Sequence, residues 1–578
     1  MIGSQAQPPQ APQAPQEIPA PLLPENLRRR AALDPAKRAF VFLDEHGEEK
    51  DVLTYGELHS QALCVAEWLA RCCHPGDRAL LAFPQTADFV VAYFGCLYAQ
   101  VIAVPVSPPR RNRMQDATRK IAADCAPEAI LTASSMLMAV TAALGPACGP
   151  LPTLPVDQVP RTADPDFSPP PCAADTVAFL QYTSGSTADP KGVVVSHGNL
   201  AANQRMIQRA FGHDESSTVV GWTPFFHDQG LIENVLQPLH VGATCIMMSP
   251  MSFIRWPLGW LSAVSRYRAH TSGGPNFAFD ACVARAARGG VGDLDLSSWK
   301  VAFNGAEPVR PDTLRRFAET FAPYGFSPSA LYPCYGLAEA TLLVTGGGKG
   351  NGARVIEADA EELGHKRFAR PAPGRGRPLA GSGLVLPGED LRIVDPDTRR
   401  PCARHRVGEI WVAGEHVAQG YWRKPELTAA VFLAECDGEP GRRYLRTGDL
   451  GLMVEGELYV VGRLKDLVII RGRNYYPQDI EQTVQSAHPA LQPAGCVAFS
   501  VPGGDGERLV VAAEIRREQR LTADRADVTA AIRAAVVQEH QLSLGALVLT
   551  SPGRLPKTTS GKIMRSAARE RYLEAGLT

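Results

Sequence analysis

The chain has 578 residues with 59 basic and 60 acidic side chains, so its formal net charge is −1. Hydrophobic residues make up 45% and charged residues 21%, which is the balance of a globular protein and excludes a wholly disordered chain. The lack of a basic excess argues against a nucleic-acid-binding protein, and the length exceeds what one hydrophobic core usually fills.

The chain begins with the segment MIGSQAQPPQAPQAPQEIPAP, which is rich in Ala, Pro and Gln. Such a composition cannot bury apolar surface, so it predicts a flexible tail over residues 1–24. The segment lacks the charged start and apolar core of a secretory signal. The thirteen cysteines form no C-x-x-C pair and fit reduced thiols. We therefore expect a cytoplasmic protein.

From about residue 25 to residue 345, helical patterns alternate with short β runs such as RALLAF, which indicates parallel sheets covered by helices. The apolar stretch Val90–Val106 contains Gln100 and Pro105 and is shorter than the roughly 20 residues of a membrane span. It predicts a buried helix ending near Gln100 and then a short strand, with no transmembrane segment.

After Gly383 the pattern changes to short strands such as LRIVDP and GEIWVAG, which indicates a small barrel or antiparallel sheet. A further compact α/β unit follows residue 463, with strands CVAFSVP and RLVVAAEI and the helical DVTAAIRAAVVQEH. Between these regions, Val344–Gly383 is rich in Gly and charge, with one helix-like piece, EADAEELGHKRF. On composition alone this segment is a surface excursion between two subdomains.

The stretch YTSGSTADPKG, Tyr182–Gly192, combines hydroxyl donors, glycines and one lysine, which suits an anion. The flanking runs VAFLQY and GVVVS predict the two strands of a hairpin. A phosphate loop of the Walker A type is excluded, because that motif opens a helix and places Ser or Thr after its lysine. Taken alone, the stretch fits a phosphate site and a merely polar turn equally well.

Five further stretches share an ordered pattern with it, namely NGAEP (Asn304–Pro308), YGLAEAT (Tyr335–Thr341), YLRTGDLG (Tyr444–Gly451), GRLKDLVIIRG (Gly462–Gly472) and PKTTSGKIMR (Pro556–Arg565). Together they resemble the motifs of the adenylate-forming superfamily, which includes acyl-CoA synthetases, luciferases, peptide-synthetase adenylation domains and fatty acyl-AMP ligases. The resemblance covers nearly the whole chain after the tail. One departure is Ala188, where the superfamily usually has glycine.

The resemblance implies an α/β fold. A large N-terminal domain of two helix-covered sheets, with a small β-barrel-like subdomain, would occupy residues 25–464. A small mobile α+β lid domain would occupy residues 465–578, with Lys465 as its hinge. Two half-reactions from one site explain the need for a hinge.

The resemblance also implies ATP and Mg²⁺ as cofactors and assigns roles residue by residue. The phosphates would contact Thr183, Ser184, Gly185, Ser186, Thr187 and Lys191. The adenine would contact Gly305, Ala306, Glu307, Tyr335, Gly336, Leu337 and Ala338. Asp449 would bind the ribose hydroxyls, Arg463 would assist at the ribose or phosphates, and Thr187 and Glu339 would hold Mg²⁺. Lys562 would bridge the carboxylate and the α-phosphate. Outside the motifs, Glu339 is equally a surface glutamate and Asp449 a turn residue.

The stretch WTPFFHDQGLIE carries His227 directly after Phe226, where amino-acid adenylation domains place an aspartate. We therefore expect His227 beside a fatty-acid carboxylate, the alternative being a polar loop residue. Apolar residues nearby would line an acyl tunnel or form ordinary core. The candidate substrate-binding residues are Leu231, Ile232, Gly274, Pro275, Asn276 and Phe277.

Several stretches, including WTPFFHDQGLIENVLQPL and RYRAHTSGGPNFAFD, are most similar to fatty acyl-AMP ligases. These ligases carry an extra segment where this chain has its excursion, here expected near residues 351–370, and it is associated with failure to use coenzyme A. The acyl group would pass to the phosphopantetheine arm of an acyl carrier protein, free-standing or within a polyketide or nonribosomal peptide synthase. The alternatives are a fatty acyl-CoA synthetase, a peptide-synthetase adenylation domain and a non-catalytic nucleotide-binding module.

Overall fold

The structure is a computed structural model that describes residues 21–109, 116–160, 162–183, 190–373, 376–471, 473–503, 506–558 and 562–575. Most of the predicted tail lies outside these residues. The first helix begins at Leu23 and buries Leu23 and Leu27, so the fold starts inside the last residues of that predicted tail.

The helices follow one another along the chain as in the predicted alternation. They are α1 Leu23–Leu33, α2 Tyr55–Cys72, α3 Ala87–Ala99, α4 Asp116–Cys125, α5 Leu137–Cys148, α6 His197–Phe211, α7 Gln237–Val241, α8 Pro250–Arg255, α9 Pro257–Arg266, α10 Asn276–Ala286, α11 Pro311–Phe321, α12 Ala360–Gly364, α13 Pro425–Phe432, α14 Pro477–Ala487, α15 Arg525–His540 and α16 Arg565–Ala575. A π-helical segment, Gln229–Leu236, leads directly into α7.

The strands lie between these helices and become the dominant element after residue 376. They are β1 Arg38–Leu43, β2 Glu49–Thr54, β3 Arg78–Ala82, β4 Ile102–Pro105, β5 Ala129–Thr132, β6 Thr153–Pro155, β7 Val177–Thr183, β8 Lys191–Ser196, β9 Thr218–Gly221, β10 Thr244–Met247, β11 Thr271–Gly274, β12 Val301–Asn304, β13 Leu331–Gly336, β14 Leu343–Gly346, β15 Val355–Asp359, β16 Gly376–Ala380, β17 Leu384–Val385, β18 Glu389–Val394, β19 Gly408–Gly414, β20 Ala434–Glu435, β21 Arg443–Val454, β22 Glu457–Arg463, β23 Val468–Ile470, β24 Arg473–Tyr475, β25 Leu491–Gly503, β26 Gly506–Ile515 and β27 Leu544–Thr550.

The first sheet has the strand order β6-β5-β3-β4-β7-β8. Its strands are parallel except for the last pair, where β7 and β8 form the predicted antiparallel hairpin. Helix α3 ends at Ala99 and β4 begins at Ile102, so the prediction of a buried helix followed by a short strand is confirmed. Among the described helices, none combines the length and apolar character that crossing a bilayer requires.

The second sheet runs β2-β1-β10-β9-β11-β12-β13 and is parallel apart from the β1–β2 pair. Beyond β13 it continues into antiparallel strands in the order β14-β17-β22-β21-β19-β18. The predicted change to short antiparallel strands is therefore confirmed, and these strands extend the second sheet through β13.

Side chains on successive strand positions belong to different cores, as the alternation of a β-strand requires. The largest cluster of buried apolar residues, here called the main cluster, includes Phe179 of the first sheet, Phe303 of the second and Phe94 of α3. The opposite face of the second sheet, with Val220 and Ala302, packs with α9–α11 in a separate cluster. Helix α3 is buried over almost its whole length because it lies between two sheets.

The last part of the chain forms its own core. Strands β25, β26 and β27 make a three-stranded sheet, and Ile480 of α14 and Ile532 of α15 pack on it. This confirms the predicted strands and helix after residue 463.

The excursion differs from its prediction in one respect. Only Ala360–Gly364 is helical, because the preceding residues Val355–Asp359 pair as β15 with β16. The Asp359 carboxylate accepts hydrogen bonds from the backbone N–H groups of Glu361 and Glu362, at 2.9 and 3.0 Å. This N-cap starts the helix after Asp359, so the interpretation of EADAEELGHKRF as one helical piece is wrong.

Buried histidines should make the fold sensitive to acid. Burial lowers the pKa of His197, His240 and His416 to about 4, against about 6.5 in an unfolded chain. Between those values the unfolded chain binds more protons, so stability is complete above pH 6.5 and is lost as the pH falls toward 4. At pH 5 each such histidine should lower the free energy of unfolding by about 2 kcal/mol.

The measurement is chemical denaturation between pH 7.5 and pH 5. His197, the first residue of α6, is only 2% exposed and suits a control, because burial is the cause of its shift. A His197→Asn variant should lose less stability on acidification than the wild type. An equal loss in both proteins would contradict the assignment.

Candidate active site

The hairpin strands β7 and β8 place the two ends of the predicted phosphate loop, Thr183 and Lys191, at the edge of the first sheet. Thr183 is paired with Lys191 across the hairpin, and residues 184–189 lie outside the described part of the chain. The predicted ligands Ser184, Gly185, Ser186 and Thr187 therefore stay predictions. The backbone of Gly420 and Trp422 continues the hydrogen bonding along β8, through Val194 N–H and Gly192 C=O.

Lys191 lies close to a tyrosine that the motifs do not include. Its Nζ is 5.5 Å from the centre of the Tyr421 ring, within cation–π distance. Burial lowers the pKa of Lys191, the charge of Lys465 acts in the same direction and Glu339 opposes both. The predicted hinge lysine, in the turn Leu464–Asp466, thus lies near the predicted phosphate lysine.

Glu339 lies on a short turn, Ala338–Ala340, directly after β13. Its Oε1 accepts a hydrogen bond of 2.8 Å from the Tyr421 hydroxyl, and its backbone C=O accepts from Ala418 N–H at 2.9 Å. Burial raises the pKa of Glu339. Tyr421 therefore connects the predicted metal carboxylate with Lys191, and sequence reasoning missed it because an isolated aromatic after Gly420 carries no motif.

Tyr335, Asp449 and Arg463 meet although they come from three strands. The Tyr335 hydroxyl donates to Asp449 Oδ2 at 2.9 Å, and Arg463 Nε donates to Asp449 Oδ1 at 2.9 Å. The β21–β22 register sets Asp449 opposite Arg463. The Asp449 charge raises the pKa of Arg463, and burial raises that of Tyr335.

The backbone around Gly305 and Gly336 is close-packed. A Cβ on Gly336 would lie 1.8 Å from the carbonyl oxygen of Leu342, so only glycine fits where the chain turns through Leu337. A Cβ on Gly305 would lie 3.0 Å from Cys334 Sγ. Ala306 has φ of 66°, a conformation that is strained for a residue other than glycine.

Lys562 reaches this turn from the C-terminal part of the chain. Its Nζ donates a hydrogen bond to the carbonyl oxygen of Ala306. Desolvation by the surrounding protein lowers the pKa of Lys562, whereas the charges of Glu307 and Asp228 raise it. The lysine thus lies over the predicted nucleotide site, close to acidic groups of opposite charge.

His227 lies beside Lys562 and is neutral at pH 7. Burial, reinforced by the charge of Lys562, lowers the pKa of His227 to about 4. Its Nε2 is buried and has no hydrogen-bond partner among the described residues, so it can serve a bound polar group. Asp228, which sequence reasoning did not select, is near enough for its charge to act on Lys562.

The predicted substrate residues are only partly together. Leu231 and Ile232 are fully buried in the main cluster. Gly274 and Pro275 lie at the junction of β11 and α10, where Phe277 is 38% exposed. Asn276 braces a neighbouring turn through Pro308 C=O and Arg310 N–H, at 2.9 and 3.0 Å. By contrast, the buried Asn304 amide, beside Gly305, has no partner for either polar atom in the described part of the chain.

Comparison with known families matches two segments. The model of the AMP-binding enzymes covers residues 27–422, and a model described as a Disco-interacting protein 2-like AMP domain covers residues 465–578.

Individual proteins match along almost the whole chain. The medium-chain-fatty-acid–[acyl-carrier-protein] ligase JamA of Moorena producens is 41% identical over 95% of each chain. The long-chain-fatty-acid–AMP ligase FadD26 of Mycobacterium tuberculosis is 39% identical over 96% of this chain and 97% of its own. A fatty acyl-adenylate ligase from L. pneumophila, solved with acyl adenylate and pyrophosphate, is 38% identical with a TM-score of 0.75, over 96% of this chain and 97% of its own. This chain therefore belongs to the AMP-binding enzymes, within the branch of the fatty acyl-AMP ligases.

Proposed function

We propose that the protein activates a medium- or long-chain fatty acid with ATP and transfers it to the phosphopantetheine thiol of an acyl carrier protein. The observation that carries this proposal is the convergence of Lys562 with the Ala306 turn, next to Asp228 and Glu307. The relatives JamA and FadD26 support both halves of this proposal, since JamA is a carrier-protein ligase and FadD26 an AMP ligase.

In the first half-reaction, a carboxylate oxygen bonds to the α-phosphorus of ATP. The bond from that phosphorus to the bridging oxygen breaks, and pyrophosphate leaves with the electron pair. Lys562 neutralises charge between the carboxylate and the α-phosphate, and Lys191 holds the outer phosphates. Catalysis is positioning plus electrostatic stabilisation.

The nucleoside is held by the group built around Asp449. Tyr335 stacks on the adenine, and its hydroxyl keeps the Asp449 carboxylate oriented toward the ribose. Each carboxylate oxygen has a further lone pair after accepting from Tyr335 or Arg463, so both ribose hydroxyls can donate to it.

The residues present fit a magnesium ion. Glu339 offers an oxygen ligand of the kind that Mg²⁺ prefers, and its Oε1 is already oriented by Tyr421. A bound Mg²⁺ supplies neutralisation of the phosphate charge. Thr187 is the second protein ligand in this proposal.

In the second half-reaction, the thiol sulfur of the carrier attacks the acyl carbonyl carbon, the bond to AMP breaks, and the thiol proton passes to solvent. The lid domain rotates about Lys465 between the two steps. The rotation moves Lys562 away from the acyl-AMP and brings up another surface of the lid domain, which admits the phosphopantetheine arm.

The excursion favours a carrier protein over coenzyme A because it contacts the lid domain. Arg377 forms an ion pair of 2.7 Å with Asp479, and both side chains are largely buried. The carbonyl oxygens of Leu363 and Gly364 accept hydrogen bonds from Tyr476 and Asn474, at 3.4 and 3.0 Å. These contacts restrict the positions of the lid domain in which free coenzyme A could reach the acyl-AMP.

The test offers octanoic, dodecanoic and hexadecanoic acids with ATP and Mg²⁺, then either coenzyme A or a phosphopantetheinylated carrier protein. We expect pyrophosphate release and acyl-carrier product, with little acyl-CoA. Efficient acyl-CoA production would favour a fatty acyl-CoA synthetase. Pyrophosphate exchange with amino acids would favour a peptide-synthetase adenylation domain, and no release with any acid would favour a non-catalytic nucleotide-binding module.

A further inference from the structure

A buried carboxyl group with one oxygen unpartnered among the described residues lies on the segment that follows His227. Glu233 is 4% exposed, and its Oε1 has no hydrogen-bond partner among the described residues. The adjacent residue repeats the pattern, because Asn234 Nδ2 donates to Thr223 Oγ1 at 2.6 Å while its Oδ1 is unpartnered. Two neighbouring acceptors are thus left without a donor in the described part of the chain.

The segment that carries these groups covers glycines of the second sheet. A Cβ on Gly221, the last residue of β9, would lie 2.5 Å from Asn234 Cγ. Gly273 of β11 lies against Phe303, a member of the main cluster that also contains Leu231 and Ile232. Asn234 thus packs directly on the carboxyl end of β9, and α/β proteins bind ligands at such strand ends.

The charge of Glu233 acts on strands at both sides of the middle of this sheet. It acts on Cys245 of β10 and on Cys334 of β13, the strands on either side of β9, β11 and β12. Glu233 is six residues beyond His227, a rise of roughly 9 Å or less, because the π-helical segment rises less per residue than an α-helix. An acyl chain with its carboxylate beside His227 therefore reaches Glu233 with its middle carbons.

A plain hydrocarbon chain gives this carboxyl group nothing to bond. An unsatisfied buried polar group costs about 1–3 kcal/mol, and the neighbours Leu231, Ile232 and Leu236 show that apolar residues fit the same segment. A substrate with a polar group at this depth would remove that cost.

We propose that the acyl pocket is specific for a carboxylic acid with a hydroxyl group in the middle of its chain, bonded by Glu233 and by Asn234 Oδ1. This inference rests on the proposed function and names the substrate class of the same site. Burial raises the pKa of Glu233 well above its usual range, which favours the protonated form of its carboxyl group. A protonated carboxyl both donates and accepts, as a hydroxyl does.

The experiment compares dodecanoic acid with isomers that carry a hydroxyl group at successive chain positions, and with the matching amino acids. Pyrophosphate release gives kcat/KM for each, and mass spectrometry identifies the acyl-AMP. We expect one mid-chain hydroxy acid to exceed dodecanoic acid at least tenfold, a difference of about 1.4 kcal/mol, and to exceed its amino counterpart.

Two variants of similar size separate hydrogen bonding from packing. Glu233→Leu should lose the preference for the hydroxy acid while retaining dodecanoic acid as a substrate, and Glu233→Gln should keep part of the preference. The melting temperature of Glu233→Leu should equal or exceed that of the wild type, because an unpartnered polar group has been removed.

Three outcomes would overturn the inference. The wild type may not favour any hydroxy acid over dodecanoic acid, it may favour the amino acid, or Glu233→Leu may lose activity equally on all substrates.

Results

Sequence analysis

The chain has 578 residues with 59 basic and 60 acidic side chains, so its formal net charge is −1. Hydrophobic residues make up 45% and charged residues 21%, which is the balance of a globular protein and excludes a wholly disordered chain. The lack of a basic excess argues against a nucleic-acid-binding protein, and the length exceeds what one hydrophobic core usually fills.

The chain begins with the segment MIGSQAQPPQAPQAPQEIPAP, which is rich in Ala, Pro and Gln. Such a composition cannot bury apolar surface, so it predicts a flexible tail over residues 1–24. The segment lacks the charged start and apolar core of a secretory signal. The thirteen cysteines form no C-x-x-C pair and fit reduced thiols. We therefore expect a cytoplasmic protein.

From about residue 25 to residue 345, helical patterns alternate with short β runs such as RALLAF, which indicates parallel sheets covered by helices. The apolar stretch Val90–Val106 contains Gln100 and Pro105 and is shorter than the roughly 20 residues of a membrane span. It predicts a buried helix ending near Gln100 and then a short strand, with no transmembrane segment.

After Gly383 the pattern changes to short strands such as LRIVDP and GEIWVAG, which indicates a small barrel or antiparallel sheet. A further compact α/β unit follows residue 463, with strands CVAFSVP and RLVVAAEI and the helical DVTAAIRAAVVQEH. Between these regions, Val344–Gly383 is rich in Gly and charge, with one helix-like piece, EADAEELGHKRF. On composition alone this segment is a surface excursion between two subdomains.

The stretch YTSGSTADPKG, Tyr182–Gly192, combines hydroxyl donors, glycines and one lysine, which suits an anion. The flanking runs VAFLQY and GVVVS predict the two strands of a hairpin. A phosphate loop of the Walker A type is excluded, because that motif opens a helix and places Ser or Thr after its lysine. Taken alone, the stretch fits a phosphate site and a merely polar turn equally well.

Five further stretches follow in an ordered pattern, namely NGAEP (Asn304–Pro308), YGLAEAT (Tyr335–Thr341), YLRTGDLG (Tyr444–Gly451), GRLKDLVIIRG (Gly462–Gly472) and PKTTSGKIMR (Pro556–Arg565). Together with the first they resemble the motifs of the adenylate-forming superfamily, which includes acyl-CoA synthetases, luciferases, peptide-synthetase adenylation domains and fatty acyl-AMP ligases. The resemblance covers nearly the whole chain after the tail. One departure is Ala188, where the superfamily usually has glycine.

The resemblance implies an α/β fold. A large N-terminal domain of two helix-covered sheets, with a small β-barrel-like subdomain, would occupy residues 25–464. A small mobile α+β lid domain would occupy residues 465–578, with Lys465 as its hinge. Two half-reactions from one site explain the need for a hinge.

The resemblance also implies ATP and Mg²⁺ as cofactors and assigns roles residue by residue. The phosphates would contact Thr183, Ser184, Gly185, Ser186, Thr187 and Lys191. The adenine would contact Gly305, Ala306, Glu307, Tyr335, Gly336, Leu337 and Ala338. Asp449 would bind the ribose, and Arg463 would assist at the ribose or phosphates. Thr187 and Glu339 would bind Mg²⁺. Lys562 would bridge the carboxylate and the α-phosphate. Outside the motifs, Glu339 is equally a surface glutamate and Asp449 a turn residue.

The stretch WTPFFHDQGLIE carries His227 directly after Phe226, where amino-acid adenylation domains place an aspartate. We therefore expect His227 beside a fatty-acid carboxylate, the alternative being a polar loop residue. Apolar residues nearby would line an acyl tunnel or form ordinary core. The candidate substrate-binding residues are Leu231, Ile232, Gly274, Pro275, Asn276 and Phe277.

Several stretches, including WTPFFHDQGLIENVLQPL and RYRAHTSGGPNFAFD, are most similar to fatty acyl-AMP ligases. These ligases carry an extra segment where this chain has its excursion, here expected near residues 351–370, and it is associated with failure to use coenzyme A. The acyl group would pass to the phosphopantetheine arm of an acyl carrier protein, for polyketide or lipopeptide synthesis. The chain would act free-standing or within a polyketide or nonribosomal peptide synthase. The alternatives are a fatty acyl-CoA synthetase, a peptide-synthetase adenylation domain and a non-catalytic nucleotide-binding module.

Overall fold

The structure is a computed structural model that describes residues 21–109, 116–160, 162–183, 190–373, 376–471, 473–503, 506–558 and 562–575. Most of the predicted tail lies outside these residues. The first helix begins at Leu23 and buries Leu23 and Leu27, so the fold starts inside the last residues of that predicted tail.

The helices follow one another along the chain as in the predicted alternation. They are α1 Leu23–Leu33, α2 Tyr55–Cys72, α3 Ala87–Ala99, α4 Asp116–Cys125, α5 Leu137–Cys148, α6 His197–Phe211, α7 Gln237–Val241, α8 Pro250–Arg255, α9 Pro257–Arg266, α10 Asn276–Ala286, α11 Pro311–Phe321, α12 Ala360–Gly364, α13 Pro425–Phe432, α14 Pro477–Ala487, α15 Arg525–His540 and α16 Arg565–Ala575. A π-helical segment, Gln229–Leu236, leads directly into α7.

The strands lie between these helices and become the dominant element after residue 376. They are β1 Arg38–Leu43, β2 Glu49–Thr54, β3 Arg78–Ala82, β4 Ile102–Pro105, β5 Ala129–Thr132, β6 Thr153–Pro155, β7 Val177–Thr183, β8 Lys191–Ser196, β9 Thr218–Gly221, β10 Thr244–Met247, β11 Thr271–Gly274, β12 Val301–Asn304, β13 Leu331–Gly336, β14 Leu343–Gly346, β15 Val355–Asp359, β16 Gly376–Ala380, β17 Leu384–Val385, β18 Glu389–Val394, β19 Gly408–Gly414, β20 Ala434–Glu435, β21 Arg443–Val454, β22 Glu457–Arg463, β23 Val468–Ile470, β24 Arg473–Tyr475, β25 Leu491–Gly503, β26 Gly506–Ile515 and β27 Leu544–Thr550.

The first sheet has the strand order β6-β5-β3-β4-β7-β8. Its strands are parallel except for the last pair, where β7 and β8 form the predicted antiparallel hairpin. Helix α3 ends at Ala99 and β4 begins at Ile102, so the prediction of a buried helix followed by a short strand is confirmed. Among the described helices, none combines the length and apolar character that crossing a bilayer requires.

The second sheet runs β2-β1-β10-β9-β11-β12-β13 and is parallel apart from the β1–β2 pair. Beyond β13 it continues into antiparallel strands in the order β14-β17-β22-β21-β19-β18. The predicted change to short antiparallel strands is therefore confirmed, and these strands extend the second sheet through β13.

Side chains on successive strand positions belong to different cores, as the alternation of a β-strand requires. The largest cluster of buried apolar residues, here called the main cluster, includes Phe179 of the first sheet, Phe303 of the second and Phe94 of α3. The opposite face of the second sheet, with Val220 and Ala302, packs with α9–α11 in a separate cluster. Helix α3 is buried over almost its whole length because it lies between two sheets.

The last part of the chain forms its own core. Strands β25, β26 and β27 make a three-stranded sheet, and Ile480 of α14 and Ile532 of α15 pack in the same cluster as its buried side chains. The predicted strands and helix after residue 463 are confirmed.

The excursion differs from its prediction in one respect. Only Ala360–Gly364 is helical, because the preceding residues Val355–Asp359 pair as β15 with β16. The Asp359 carboxylate accepts hydrogen bonds from the backbone N–H groups of Glu361 and Glu362, at 2.9 and 3.0 Å. This N-cap starts the helix after Asp359, so the interpretation of EADAEELGHKRF as one helical piece is wrong.

Buried histidines should make the fold sensitive to acid. Burial lowers the pKa of His197, His240 and His416 to about 4, against about 6.5 in an unfolded chain. Between those values the unfolded chain binds more protons, so this stability is complete above pH 6.5 and is lost as the pH falls toward 4. At pH 5 each such histidine should lower the free energy of unfolding by about 2 kcal/mol.

The measurement is chemical denaturation between pH 7.5 and pH 5. His197, the first residue of α6, is only 2% exposed and suits a control, because burial is the cause of its shift. A His197→Asn variant should lose less stability on acidification than the wild type. An equal loss in both proteins would contradict the assignment.

Candidate active site

The hairpin strands β7 and β8 place the two ends of the predicted phosphate loop, Thr183 and Lys191, at the edge of the first sheet. Thr183 is paired with Lys191 across the hairpin, and residues 184–189 lie outside the described part of the chain. The predicted ligands Ser184, Gly185, Ser186 and Thr187 therefore stay predictions. The backbone of Gly420 and Trp422 continues the hydrogen bonding along β8, through Val194 N–H and Gly192 C=O.

Lys191 lies close to a tyrosine that the motifs do not include. Its Nζ is 5.5 Å from the centre of the Tyr421 ring, within cation–π distance. Burial lowers the pKa of Lys191, the charge of Lys465 acts in the same direction and Glu339 opposes both. The predicted hinge lysine, in the turn Leu464–Asp466, thus lies near the predicted phosphate lysine.

Glu339 lies on a short turn, Ala338–Ala340, directly after β13. Its Oε1 accepts a hydrogen bond of 2.8 Å from the Tyr421 hydroxyl, and its backbone C=O accepts from Ala418 N–H at 2.9 Å. Burial raises the pKa of Glu339. Tyr421 therefore connects the predicted metal carboxylate with Lys191, and sequence reasoning missed it because an isolated aromatic residue carries no motif.

Tyr335, Asp449 and Arg463 meet although they come from three strands. The Tyr335 hydroxyl donates to Asp449 Oδ2 at 2.9 Å, and Arg463 Nε donates to Asp449 Oδ1 at 2.9 Å. The β21–β22 register sets Asp449 opposite Arg463. The Asp449 charge raises the pKa of Arg463, and burial raises that of Tyr335.

The backbone around Gly305 and Gly336 is close-packed. A Cβ on Gly336 would lie 1.8 Å from the carbonyl oxygen of Leu342, so only glycine fits where the chain turns through Leu337. A Cβ on Gly305 would lie 3.0 Å from Cys334 Sγ. Ala306 has a φ of 66°, a conformation that is strained for a residue other than glycine.

Lys562 reaches this turn from the C-terminal part of the chain. Its Nζ donates a hydrogen bond to the carbonyl oxygen of Ala306. Desolvation by the surrounding protein lowers the pKa of Lys562, whereas the charges of Glu307 and Asp228 raise it. The lysine thus lies over the predicted nucleotide site, close to acidic groups of opposite charge.

His227 lies beside Lys562 and is neutral at pH 7. Burial, reinforced by the charge of Lys562, lowers the pKa of His227 to about 4. Its Nε2 is buried and has no hydrogen-bond partner among the described residues, so it can serve a bound polar group. Asp228, which sequence reasoning did not select, is near enough for its charge to act on Lys562.

The predicted substrate residues are only partly together. Leu231 and Ile232 are fully buried in the main cluster. Gly274 and Pro275 lie at the junction of β11 and α10, where Phe277 is 38% exposed.

Two asparagines beside this region differ in their hydrogen bonding. Asn276 braces a neighbouring turn through Pro308 C=O and Arg310 N–H, at 2.9 and 3.0 Å. The buried amide of Asn304, next to Gly305, has no partner for either polar atom in the part of the chain that the structure describes. Asn304 therefore joins Tyr421 and Asp228 as a candidate that sequence reasoning missed.

Comparison with known families matches two segments. The model of the AMP-binding enzymes covers residues 27–422, and a model described as a Disco-interacting protein 2-like AMP domain covers residues 465–578.

Individual proteins match along almost the whole chain. The medium-chain-fatty-acid–[acyl-carrier-protein] ligase JamA of Moorena producens is 41% identical over 95% of each chain. The long-chain-fatty-acid–AMP ligase FadD26 of Mycobacterium tuberculosis is 39% identical over 96% of this chain and 97% of its own. A fatty acyl-adenylate ligase from L. pneumophila, solved with acyl adenylate and pyrophosphate, is 38% identical with a TM-score of 0.75, over 96% of this chain and 97% of its own. This chain therefore belongs to the AMP-binding enzymes, within the branch of the fatty acyl-AMP ligases.

Proposed function

We propose that the protein activates a medium- or long-chain fatty acid with ATP and transfers it to the phosphopantetheine thiol of an acyl carrier protein. The observation that carries this proposal is the convergence of Lys562 with the Ala306 turn, next to Asp228 and Glu307. The relatives JamA and FadD26 support both halves of this proposal, since JamA is a carrier-protein ligase and FadD26 an AMP ligase.

In the first half-reaction, a carboxylate oxygen bonds to the α-phosphorus of ATP. The bond from that phosphorus to the bridging oxygen breaks, and pyrophosphate leaves with the electron pair. Lys562 neutralises charge between the carboxylate and the α-phosphate, and Lys191 holds the outer phosphates. Catalysis is positioning plus electrostatic stabilisation.

The nucleoside is held by the group built around Asp449. Tyr335 stacks on the adenine, and its hydroxyl keeps the Asp449 carboxylate oriented toward the ribose. Each carboxylate oxygen has a further lone pair after accepting from Tyr335 or Arg463, so both ribose hydroxyls can donate to it.

The residues present fit a magnesium ion. Glu339 offers an oxygen ligand of the kind that Mg²⁺ prefers, and its Oε1 is already oriented by Tyr421. A bound Mg²⁺ supplies neutralisation of the phosphate charge. Thr187 is the second protein ligand in this proposal.

In the second half-reaction, the thiol sulfur of the carrier attacks the acyl carbonyl carbon, the bond to AMP breaks, and the thiol proton passes to solvent. The lid domain rotates about Lys465 between the two steps. The rotation moves Lys562 away from the acyl-AMP and brings up another surface of the lid domain, which admits the phosphopantetheine arm.

The excursion favours a carrier protein over coenzyme A because it contacts the lid domain. Arg377 forms an ion pair of 2.7 Å with Asp479, and both side chains are mostly buried. The carbonyl oxygen of Gly364 accepts a hydrogen bond of 3.0 Å from Asn474. These contacts restrict the positions of the lid domain in which free coenzyme A could reach the acyl-AMP.

The test offers octanoic, dodecanoic and hexadecanoic acids with ATP and Mg²⁺, then either coenzyme A or a phosphopantetheinylated carrier protein. We expect pyrophosphate release and acyl-carrier product, with little acyl-CoA. Efficient acyl-CoA production would favour a fatty acyl-CoA synthetase. Pyrophosphate exchange with amino acids would favour a peptide-synthetase adenylation domain, and no release with any acid would favour a non-catalytic nucleotide-binding module.

A further inference from the structure

A buried carboxyl group with one oxygen unpartnered among the described residues lies on the segment that follows His227. Glu233 is 4% exposed, and its Oε1 has no hydrogen-bond partner among the described residues. The adjacent residue repeats the pattern, because Asn234 Nδ2 donates to Thr223 Oγ1 at 2.6 Å while its Oδ1 is unpartnered within the same part of the chain. Two neighbouring acceptors are thus left without a donor in the described part of the chain.

The segment that carries these groups covers glycines of the second sheet. A Cβ on Gly221, the last residue of β9, would lie 2.5 Å from Asn234 Cγ. Gly273 of β11 lies against Phe303, a member of the main cluster that also contains Leu231 and Ile232. Asn234 thus packs directly on the carboxyl end of β9, and α/β proteins bind ligands at such strand ends.

The charge of Glu233 acts on strands at both sides of the middle of this sheet. Burial, and secondarily Glu233, raises the pKa of Cys245 of β10 and of Cys334 of β13, the strands on either side of β9, β11 and β12. Glu233 is six residues beyond His227, a rise of roughly 9 Å or less, because the π-helical segment rises less per residue than an α-helix. An acyl chain with its carboxylate beside His227 therefore reaches Glu233 with its middle carbons.

A plain hydrocarbon chain gives this carboxyl group nothing to bond. An unsatisfied buried polar group costs about 1–3 kcal/mol, and the buried neighbours Leu231, Ile232 and Leu236 show that apolar residues fit the same segment. A substrate with a polar group at this depth would remove that cost.

We propose that the acyl pocket is specific for a carboxylic acid with a hydroxyl group in the middle of its chain, bonded by Glu233 and by Asn234 Oδ1. This inference rests on the proposed function and names the substrate class of the same site. Burial raises the pKa of Glu233 well above its usual range, which favours the protonated form of its carboxyl group. A protonated carboxyl both donates and accepts, as a hydroxyl does.

The experiment compares dodecanoic acid with isomers that carry a hydroxyl group at successive chain positions, and with dodecanoic acids that carry an amino group there. Pyrophosphate release gives kcat/KM for each, and mass spectrometry identifies the acyl-AMP. We expect one mid-chain hydroxy acid to exceed dodecanoic acid at least tenfold, a difference of about 1.4 kcal/mol, and to exceed its amino counterpart.

Two variants of similar size separate hydrogen bonding from packing. Glu233→Leu should lose the preference for the hydroxy acid while retaining dodecanoic acid as a substrate, and Glu233→Gln should keep part of the preference. The melting temperature of Glu233→Leu should equal or exceed that of the wild type, because an unpartnered polar group has been removed.

The inference is overturned if kcat/KM of the wild type is as high for dodecanoic acid as for every hydroxy acid. It is equally overturned if kcat/KM is highest for an amino-substituted acid. It is also overturned if Glu233→Leu loses activity equally on all substrates. In the first two outcomes acyl-AMP still forms, so the proposed function stands. Only a failure to release pyrophosphate with any acid contradicts both.

Discussion

Replacing Lys562 with alanine is expected to slow acyl-AMP formation by about a hundred- to a thousand-fold, the usual cost of losing a group that stabilises charge in the transition state. The lysine bonds to Ala306 C=O and lies near Asp228, and in the proposed function its ammonium stands where the carboxylate would meet the α-phosphate. ATP binding should change little, because Lys191 and Asp449 belong to the large domain. Single-turnover pyrophosphate release measures the effect.

The same variant should transfer the acyl group from supplied acyl-AMP to the carrier protein at close to the wild-type rate. Lys557 offers a matched control five residues earlier, because its ammonium pairs with Glu514 at 3.5 Å and with Ala494 C=O at 3.2 Å. Lys557→Ala should leave the rate of acyl-AMP formation nearly unchanged. Equal loss of both half-reactions in Lys562→Ala would contradict its assignment to the first step alone.

The parts of the site that could be predicted from sequence are those with local signals. The hairpin β7–β8 follows from two β runs separated by a short polar stretch, and it fixes Lys191 opposite Thr183. The resemblance of the ordered motifs also predicted Asp449 and Arg463 as site residues. Their direct contact follows from the β21–β22 register, which no pattern within either strand specifies.

Tyr421 shows what local signals leave out. It is 82 residues from Glu339 in the chain, and the two meet because the segment after Gly420 pairs with the edge strand β8. Pairing of this kind depends on tertiary packing, so neither composition nor spacing points to the tyrosine.

Glu233 illustrates the same limit for burial. In the sequence GLIENVL it is one acidic residue within an apolar run, and such a residue usually faces water. Its burial depends on the segment Gln229–Leu236 lying across β9, where Gly221 leaves room. The single helical piece predicted within the excursion failed for a related reason, since strand pairing with β16 decided the conformation of Val355–Asp359.

Replacing Glu339 with glutamine is expected to reduce acyl-AMP formation by about a hundred-fold or more, because the charge of the carboxylate proposed to hold Mg²⁺ is lost while its volume is kept. The glutamine oxygen can still accept the hydrogen bond from the Tyr421 hydroxyl, so the turn Ala338–Ala340 should keep its conformation. The concentration of Mg²⁺ that gives half-maximal rate should rise. The stabilisation of the protein by ATP with Mg²⁺, measured as a shift in melting temperature, should fall toward that with ATP alone.

Two further variants separate the charge of Glu339 from its orientation. Tyr421→Phe removes only the hydrogen bond and keeps the ring beside Lys191, so it should cost about tenfold or less. Glu415→Gln, at a carboxylate that is 80% exposed and paired with Arg205, should leave both the rate and the Mg²⁺ requirement unchanged. If Glu339→Gln retained the wild-type Mg²⁺ dependence in both measurements, the carboxylate would not be a metal ligand, and its bond to Tyr421 would serve only to hold the turn.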